Sequence, residues 1–212
     1  DYFLVTNFTK WVIVDNFYFY YLFLLKQGLK ENLTIYLSYL CEYYGLPEVA
    51  AYWESVVNIN VWQTERFFQN ILTEQFNNLT EKIIVLLGFA FKQETGDTRD
   101  SPAIPLCNKL IGEHARVRIH DPQAIENAKI DLKEMDGDIS FFDDVYEAIK
   151  GAKVIALITH GKEYKELDFK RIYDHMLKPA FIFDGRNHLE HERLYDIGFN
   201  VFPLGKTPMK HE

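Results

Sequence analysis

From residue 83 to the end of the chain, short apolar runs alternate with stretches of helical period. Ile83 to Leu87 is a run of branched apolar residues, carried on by Gly88-Phe89-Ala90-Phe91. Further strands are expected in ARVRIHDP at 115–122, KVIALITHG at 153–161, KPAFIFDGRN at 178–187 and NVFPL at 200–204, with ISFF at 139–142 as a shorter candidate. Continuous apolar runs of this length read as strands buried on both faces. Between them, a helix opens at Ser101-Pro102, with serine as N-cap and proline at the first helical position. A weak helix is expected within 124–137, then DVYEAIKGA at 144–152, KELDFKRIYDHM at 165–176 and a last one near 189–197. Strands alternating with helices predict an α/β fold with a doubly wound parallel sheet.

The pattern before residue 81 is different. Leu33, Leu37, Leu40 and Cys41 recur at helical spacing, and Gly45 reads as a C-terminal stop. Pro47-Glu48 starts a second helix, whose apolar positions from Val49 through Phe76 keep spacings of three and four to roughly Asn78. A helix that long bridges domains or packs on a partner subunit. Glu54, Asn58, Gln63 and Glu65 are expected to face solvent or that partner. Residues 11–25, WVIVDNFYFYYLFLL, are too short for a spanning helix and contain Asp15-Asn16. No basic n-region or small-residue cleavage site marks a signal peptide. The Phe and Tyr density suits strand more than helix, and as a free segment it is an aggregation hazard. Its style sets it apart from the rest of the chain.

Composition narrows the class. Hydrophobic residues make up 48% and charged residues 25% of the 212 residues, as in a globular protein. The net charge of −8 argues against broad nucleic-acid binding, while leaving room for local cationic pockets. Two distant cysteines, Cys41 and Cys107, do not make a disulfide framework, and a reducing, cytoplasmic setting fits. Both read as structural core residues, and Cys41 has no histidine or lysine close in sequence to lower its pKa. The first residue is Asp1, which reads as a chain that is processed, trimmed or incomplete.

Candidate chemistry gathers at the strand ends. Lys92, Asp121, His160 and Arg186 each follow the C-terminal end of a predicted strand, and in a parallel sheet those ends share one edge. Ligands of open α/β sheets bind along that edge. Lys92, Arg99 and Arg186 can converge on one crevice suited to a phosphate or diphosphate. The alternative stays open: a solvated turn after residue 91, and Arg186 paired with Asp184 or another loop acid. Gly88 stands alone, with no GxGxxG and no Walker A. No His/Cys cluster has metal-ligand spacing, and no GxSxG elbow exists. His188 and His191 read as exposed helix residues.

GFAFKQETGDTRDSPA and KPAFIFDGRN resemble the C-terminal nucleotide-binding domain of the UDP-glucose 6-dehydrogenases, in the UDP-glucose/GDP-mannose dehydrogenase family. LCEYYGLPEVAAYWESVVNIN resembles their central helical region, and the likeness runs roughly from residue 33 to 206. It implies a Rossmann-like sheet preceded by a long connecting helix, with domains at 31–80 (central helical linker) and 81–212 (UDP-sugar binding), and residues 1–30 outside the family. Such enzymes oxidise UDP-glucose twice, with two NAD, to UDP-glucuronate through a cysteine thioester. By resemblance, Lys92 and Arg186 contact the UDP-sugar, Phe91 lines its pocket, and Arg99 reaches the NAD. The 47–78 helix would form a homo-oligomer contact; no metal, nucleic acid or membrane is implied. The family's nucleophile motif, GGSCFQKD-like, has no counterpart before Cys41, and the glycine-rich NAD domain is absent. No catalytic residue is therefore carried over, and this chain is expected to be inactive alone. Thr159-His160-Gly161 stands where the family usually has Thr-Glu-Trp. Two functions are implied: the UDP-sugar half of such an enzyme, or a non-catalytic UDP-sugar-binding or subunit-interaction protein.

Overall fold

The computed structural model describes residues 30–211. The aromatic segment at 11–25 lies outside the described residues. The chain divides into two compact units, Asp1–Trp62 and Gln63–Glu212, and the division falls inside a helix.

In the first unit, α1 spans Lys30–Tyr43. It stops where Gly45 takes φ +69°, a left-handed value that glycine adopts without a Cβ penalty. The Leu46 N–H returns to the Cys41 carbonyl at 2.8 Å, closing the last turn. Helix α2, Pro47–Glu74, starts on its proline with Glu48 in the first turn. The Ser38 hydroxyl donates to the Ala50 carbonyl at 3.1 Å and ties the two helices. Cys41 is half-buried rather than part of a core.

Helix α2 ends at Glu74, short of Asn78, because Phe76 and Asn77 turn left-handed at φ 59° and 53°. Its last turns belong to the second unit, where Phe67, Phe68 and Ile71 are buried in the core. Glu65 lies at the surface with its side chain 40% exposed, where its carboxylate meets the Lys109 ammonium at 2.5 Å.

The second unit is a six-stranded, fully parallel sheet: β1 Ile83–Leu87, β2 Arg116–His120, β3 Ile139–Phe141, β4 Val154–Leu157, β5 Phe181–Asp184 and β6 Asn200–Pro203. The strand order is β3-β2-β1-β4-β5-β6. Between them run α3 Ala103–Gly112, α4 Ile125–Asp131, α5 Val145–Ile149, α6 Lys162–Lys165, α7 Phe169–His175 and α8 His191–Ile197. Successive strand residues point to opposite faces. Ile84, Leu86, Val117, Ala156 and Phe183 pack on α2 and α3, while Val85, Leu87, Ile155 and Ile182 pack on α5, α7 and α8. Burial on both faces is why β1, β4 and β5 read as apolar runs, whereas β2 alternates, with Arg116 exposed and Arg118 half-buried.

Three expected elements differ. The helix expected at 165–176 starts only at Phe169, because the Asp168 carboxylate caps it by accepting the Arg171 N–H at 3.0 Å, and Lys165 instead ends the separate helix α6. The strands are shorter than their apolar runs: the ladder stops at Leu87, Leu157 and Asp184, where the chain turns to make loops. Pro102, not Ser101, holds the N-cap position of α3, yet the Ser101 hydroxyl still accepts the Ala103 N–H at 3.2 Å. The same hydroxyl donates to the Phe89 carbonyl at 2.6 Å, so it also anchors the preceding loop.

Candidate functional site

The register aligns all the strand ends. Leu87 lies opposite His120 and Leu157, and Leu157 lies opposite Asp184. The chain winds outward from β1 to β3, then returns to β4 and winds the other way. The connections therefore diverge between β1 and β4 and leave a crevice beyond their carboxyl ends. Its walls are the loop after β1, including Lys92, Glu94 and Thr95, and the loop after β4, including Thr159, His160 and Lys162. The two loops touch at Gly88. Its φ is +80°, and a Cβ there would lie 2.3 Å from the Thr159 carbonyl oxygen. The Thr159 hydroxyl donates to the Ala90 carbonyl. Glycine is required both by backbone conformation and by close approach.

Two buried carboxylates shape the rim. Asp121 Oδ2 accepts the N–H groups of Phe89 and Ala90 at 2.6 and 2.8 Å, and Oδ1 accepts those of Gln123 and Ala124 at 2.9 and 3.0 Å. Asp184, wholly buried, does the same after β5. Its Oδ1 accepts the Arg186 N–H at 2.9 Å; its Oδ2 accepts those of His188 and Leu189 and the His191 Nε2–H, all within 2.9 Å. Carboxylates so placed replace lost hydration with backbone donors. Asp121, expected only as a strand-end polar residue, is thus an internal anchor.

The predicted site residues separate on inspection of their partners. Lys92 is exposed on the crevice wall and has no carboxylate within ion-pair distance among the described residues. Arg186 is not paired with Asp184, as the alternative reading had it; that carboxylate is occupied by backbone amides. Instead Arg186 Nε donates to the Ile158 carbonyl at 2.5 Å. The residue presents exposed surface, yet protein around its guanidinium pulls its pKa down by desolvation. Arg99 behaves oppositely. Its Nε and Nη2 each meet an Asp97 oxygen at 2.8 Å, with 67% of its side chain exposed. Phe91 is half-buried and its N–H donates to the Asp97 carbonyl at 2.8 Å. Neither Arg99 nor Phe91 lines the crevice between β1 and β4.

The imidazoles were misread from sequence. His188 lies before α8 and its Nε2–H donates to the Gly161 carbonyl at 2.9 Å. His191 is the first residue of α8, with its side chain 10% exposed and bound to Asp184. Both are parts of the rim, not exposed helix residues. The signal in the sequence was Asp184 itself, an acid ending an apolar strand with histidines four and seven residues on. His120 and Tyr164 form a neutral buried pair beneath the crevice. The Tyr164 hydroxyl donates to the His120 carbonyl at 2.9 Å and so accepts from His120 Nδ1 at 3.1 Å. Burial lowers the His120 pKa and raises that of Tyr164.

The turn after β1 does not fit a dinucleotide. In a dinucleotide site the backbone amides of that turn and the following helix N-terminus hold the pyrophosphate. Here the Phe89 and Ala90 amides are taken by Asp121, the Ala103 amide by Ser101, and Pro102 has none. Gly88 is sealed against Thr159. Among the described residues no group of three or more His, Cys, Asp or Glu side chains could hold a metal ion, and no helix is long and apolar enough to cross a membrane. Cys107 is buried and its thiol pKa is pushed far up by desolvation; Cys41's is also raised.

Strand order 3-2-1-4-5-6, with a crevice at the point where that order reverses, defines a Rossmann-like, nucleotide-binding class of domain. Residues 85–191 match the UDP binding domain of the UDP-glucose/GDP-mannose dehydrogenase family, and the chain belongs to that family. It is 43% identical over 188 residues to UDP-glucose 6-dehydrogenase 5 of Oryza sativa subsp. japonica, covering 80% of this chain and 39% of that protein. UDP-glucose 6-dehydrogenase 4 of Arabidopsis thaliana is 42% identical over the same length and shares. The chain thus spans about two-fifths of the length of these relatives. A UDP-glucose dehydrogenase structure from Pyrobaculum islandicum shares the fold, with TM-score 0.64 and 24% identity over 82% of this chain and 35% of that one. The family expected from the FAFK, TGDTR and FDGR segments is the family found.

Proposed function

We propose that this chain supplies the UDP-sugar-binding half of an NAD-dependent UDP-glucose 6-dehydrogenase, which converts UDP-glucose, two NAD and water to UDP-glucuronate. The observation that carries this reading is the crevice at the β1/β4 switch point, with Lys92 on its wall and Arg186, unpaired with any carboxylate among the described residues, on the neighbouring rim. A diphosphate needs cations not already neutralised, and these two qualify. Lys92 and Arg186 bind the UDP-sugar, and Phe91, next to Lys92 in the chain, is assigned to the same ligand from outside the crevice lining. Arg99 reaches toward an NAD held by residues other than the turn after β1. The region 31–80 acts as a helical linker and 81–212 as the UDP-sugar domain. Exposed Tyr52, Ile59, Val61 and Trp62 on α2 support a homo-oligomer contact there. Two free cysteines accord with a reducing, cytoplasmic setting.

A second reading is that the chain binds UDP-sugars without oxidising them. Calorimetry with UDP-glucose tests both. Arg186→Ala should weaken binding at least tenfold, since charge-assisted hydrogen bonds contribute about 1.5–3 kcal/mol. Unchanged affinity in that variant, or no binding by the parent chain, refutes the assignment. NADH formation from UDP-glucose by the 212-residue chain would overturn the second reading.

A further inference from the structure

His160 occupies a position that the proposed UDP-sugar contacts leave unused. It follows β4 at the switch point, is half-buried, and lines the crevice with Lys92. Among the described residues its ring nitrogens hold no hydrogen bond. His120, His175, His188, His191 and His211 each commit a nitrogen to a named partner. The His160 ring is fixed by packing instead: it lies 5.3 Å from the His188 ring, tilted by 50°. His188 is in turn pinned by the Gly161 carbonyl, so the pair is braced from behind while the His160 nitrogens stay available.

We propose that His160 is a third contact for the ligand's diphosphate, and that its protonation couples UDP-sugar binding to pH. This inference rests on the UDP-sugar reading of the crevice. An imidazole with free nitrogens beside an ammonium binds an anion as a neutral donor, and more strongly as a cation. Its surroundings favour the neutral form when the crevice is empty. Burial, the neighbouring His188, Arg186 from the loop after β5 and Lys165 from α6 all lower its pKa. The nearby acids do little to offset them. Asp121 is saturated by four amides, and Glu94 is 3.5 Å from Lys162 across the mouth. Glu163 lies over Gly161, where a Cβ would meet its carboxylate at 2.4 Å. The charges that act on the His160 ring are cationic, so the two negative charges of a diphosphate draw a proton onto it. By linkage, the affinity then rises as pH falls through the imidazole range.

The probe is UDP-glucose, because its diphosphate diester has no group titrating near neutrality, whereas the terminal phosphate of UDP does. Calorimetry with the full 212-residue chain should show about fivefold tighter binding at pH 6 than at pH 8. His160→Gln keeps a donor but cannot charge, and should flatten that ratio below about twofold. In the parent chain, the NMR titration midpoint of the His160 ring proton should move up by about one pH unit on saturation, a readout that needs no variant. Equal affinity at both pH values, an unmoved midpoint, or a pH dependence that survives His160→Gln overturns the proposal and leaves the UDP-sugar reading standing. No binding at either pH overturns both.

Discussion

The loop after β1 and the loop after β5 are built alike and present their cations differently. Each is folded onto a buried aspartate, Asp121 for the first and Asp184 for the second, and each aspartate gathers four N–H donors. In the first loop Arg99 closes on Asp97, two residues away, through two 2.8 Å hydrogen bonds. In the second, the nearest acid, Asp184, faces inward and is used up by the backbone, so Arg186 stays available. Cations equally prominent in the sequence thus differ in their use. A guanidinium already satisfied by a carboxylate has less to gain from a phosphate than one held only by a carbonyl.

The most damaging way to break this comparison is to remove an anchor. Asp184→Ala leaves three backbone N–H groups and one imidazole without their acceptor and should destabilise the fold by about 3–5 kcal/mol in urea denaturation. Asp121→Ala should cost somewhat less, since Asp121 retains some exposure where Asp184 has none. Equal, small losses would show that the rim is not organised by these acids. Gly88→Ala comes next, at about 2–3 kcal/mol, because both a left-handed φ and a 2.3 Å clash with Thr159 oppose a Cβ. A neutral outcome would mean the seam between the two loops yields readily.

The smallest effect sharpens the contrast between the arginines. Arg99→Ala should change UDP-glucose affinity by no more than about twofold, against the tenfold or greater loss for Arg186→Ala. It should also blunt the acid sensitivity of the loop. Hydrogen bonds from Arg99 hold the Asp97 carboxyl below its usual range. A depressed acid adds stability above its unfolded pKa, and that stability is lost as pH falls through the folded value, here below about pH 4. Acid denaturation followed by fluorescence should therefore differ slightly between parent and variant below pH 4, and not at pH 7.

Much of the fold was legible because burial of β1, β4 and β5 on both sheet faces writes itself as apolar runs. All six strands lie where the pattern predicted, with ends trimmed by turns that it does not reveal. Ser101 illustrates the limit. Its capping hydrogen bond was readable locally, while its second bond, to Phe89, joins residues brought together by the sheet. The start at Asp168 is also local but not legible, since an acid inside a helical pattern can equally be a surface residue. The histidines at 188 and 191 were misread because a helical spacing says nothing about the buried aspartate beside them.

By itself, the sequence determined the parallel doubly wound sheet, the edge on which Lys92, His160 and Arg186 would meet, and the family. Periodicity and motif are local properties, and they survive being read without coordinates. Only the tertiary structure decided which cations are neutralised, which acids serve the backbone, and that the imidazole lining the crevice keeps its nitrogens open. Those depend on distances between residues tens of positions apart, such as Asp121 to Phe89 or Tyr164 to His120, which are set by strand register and loop closure rather than by neighbours in the chain.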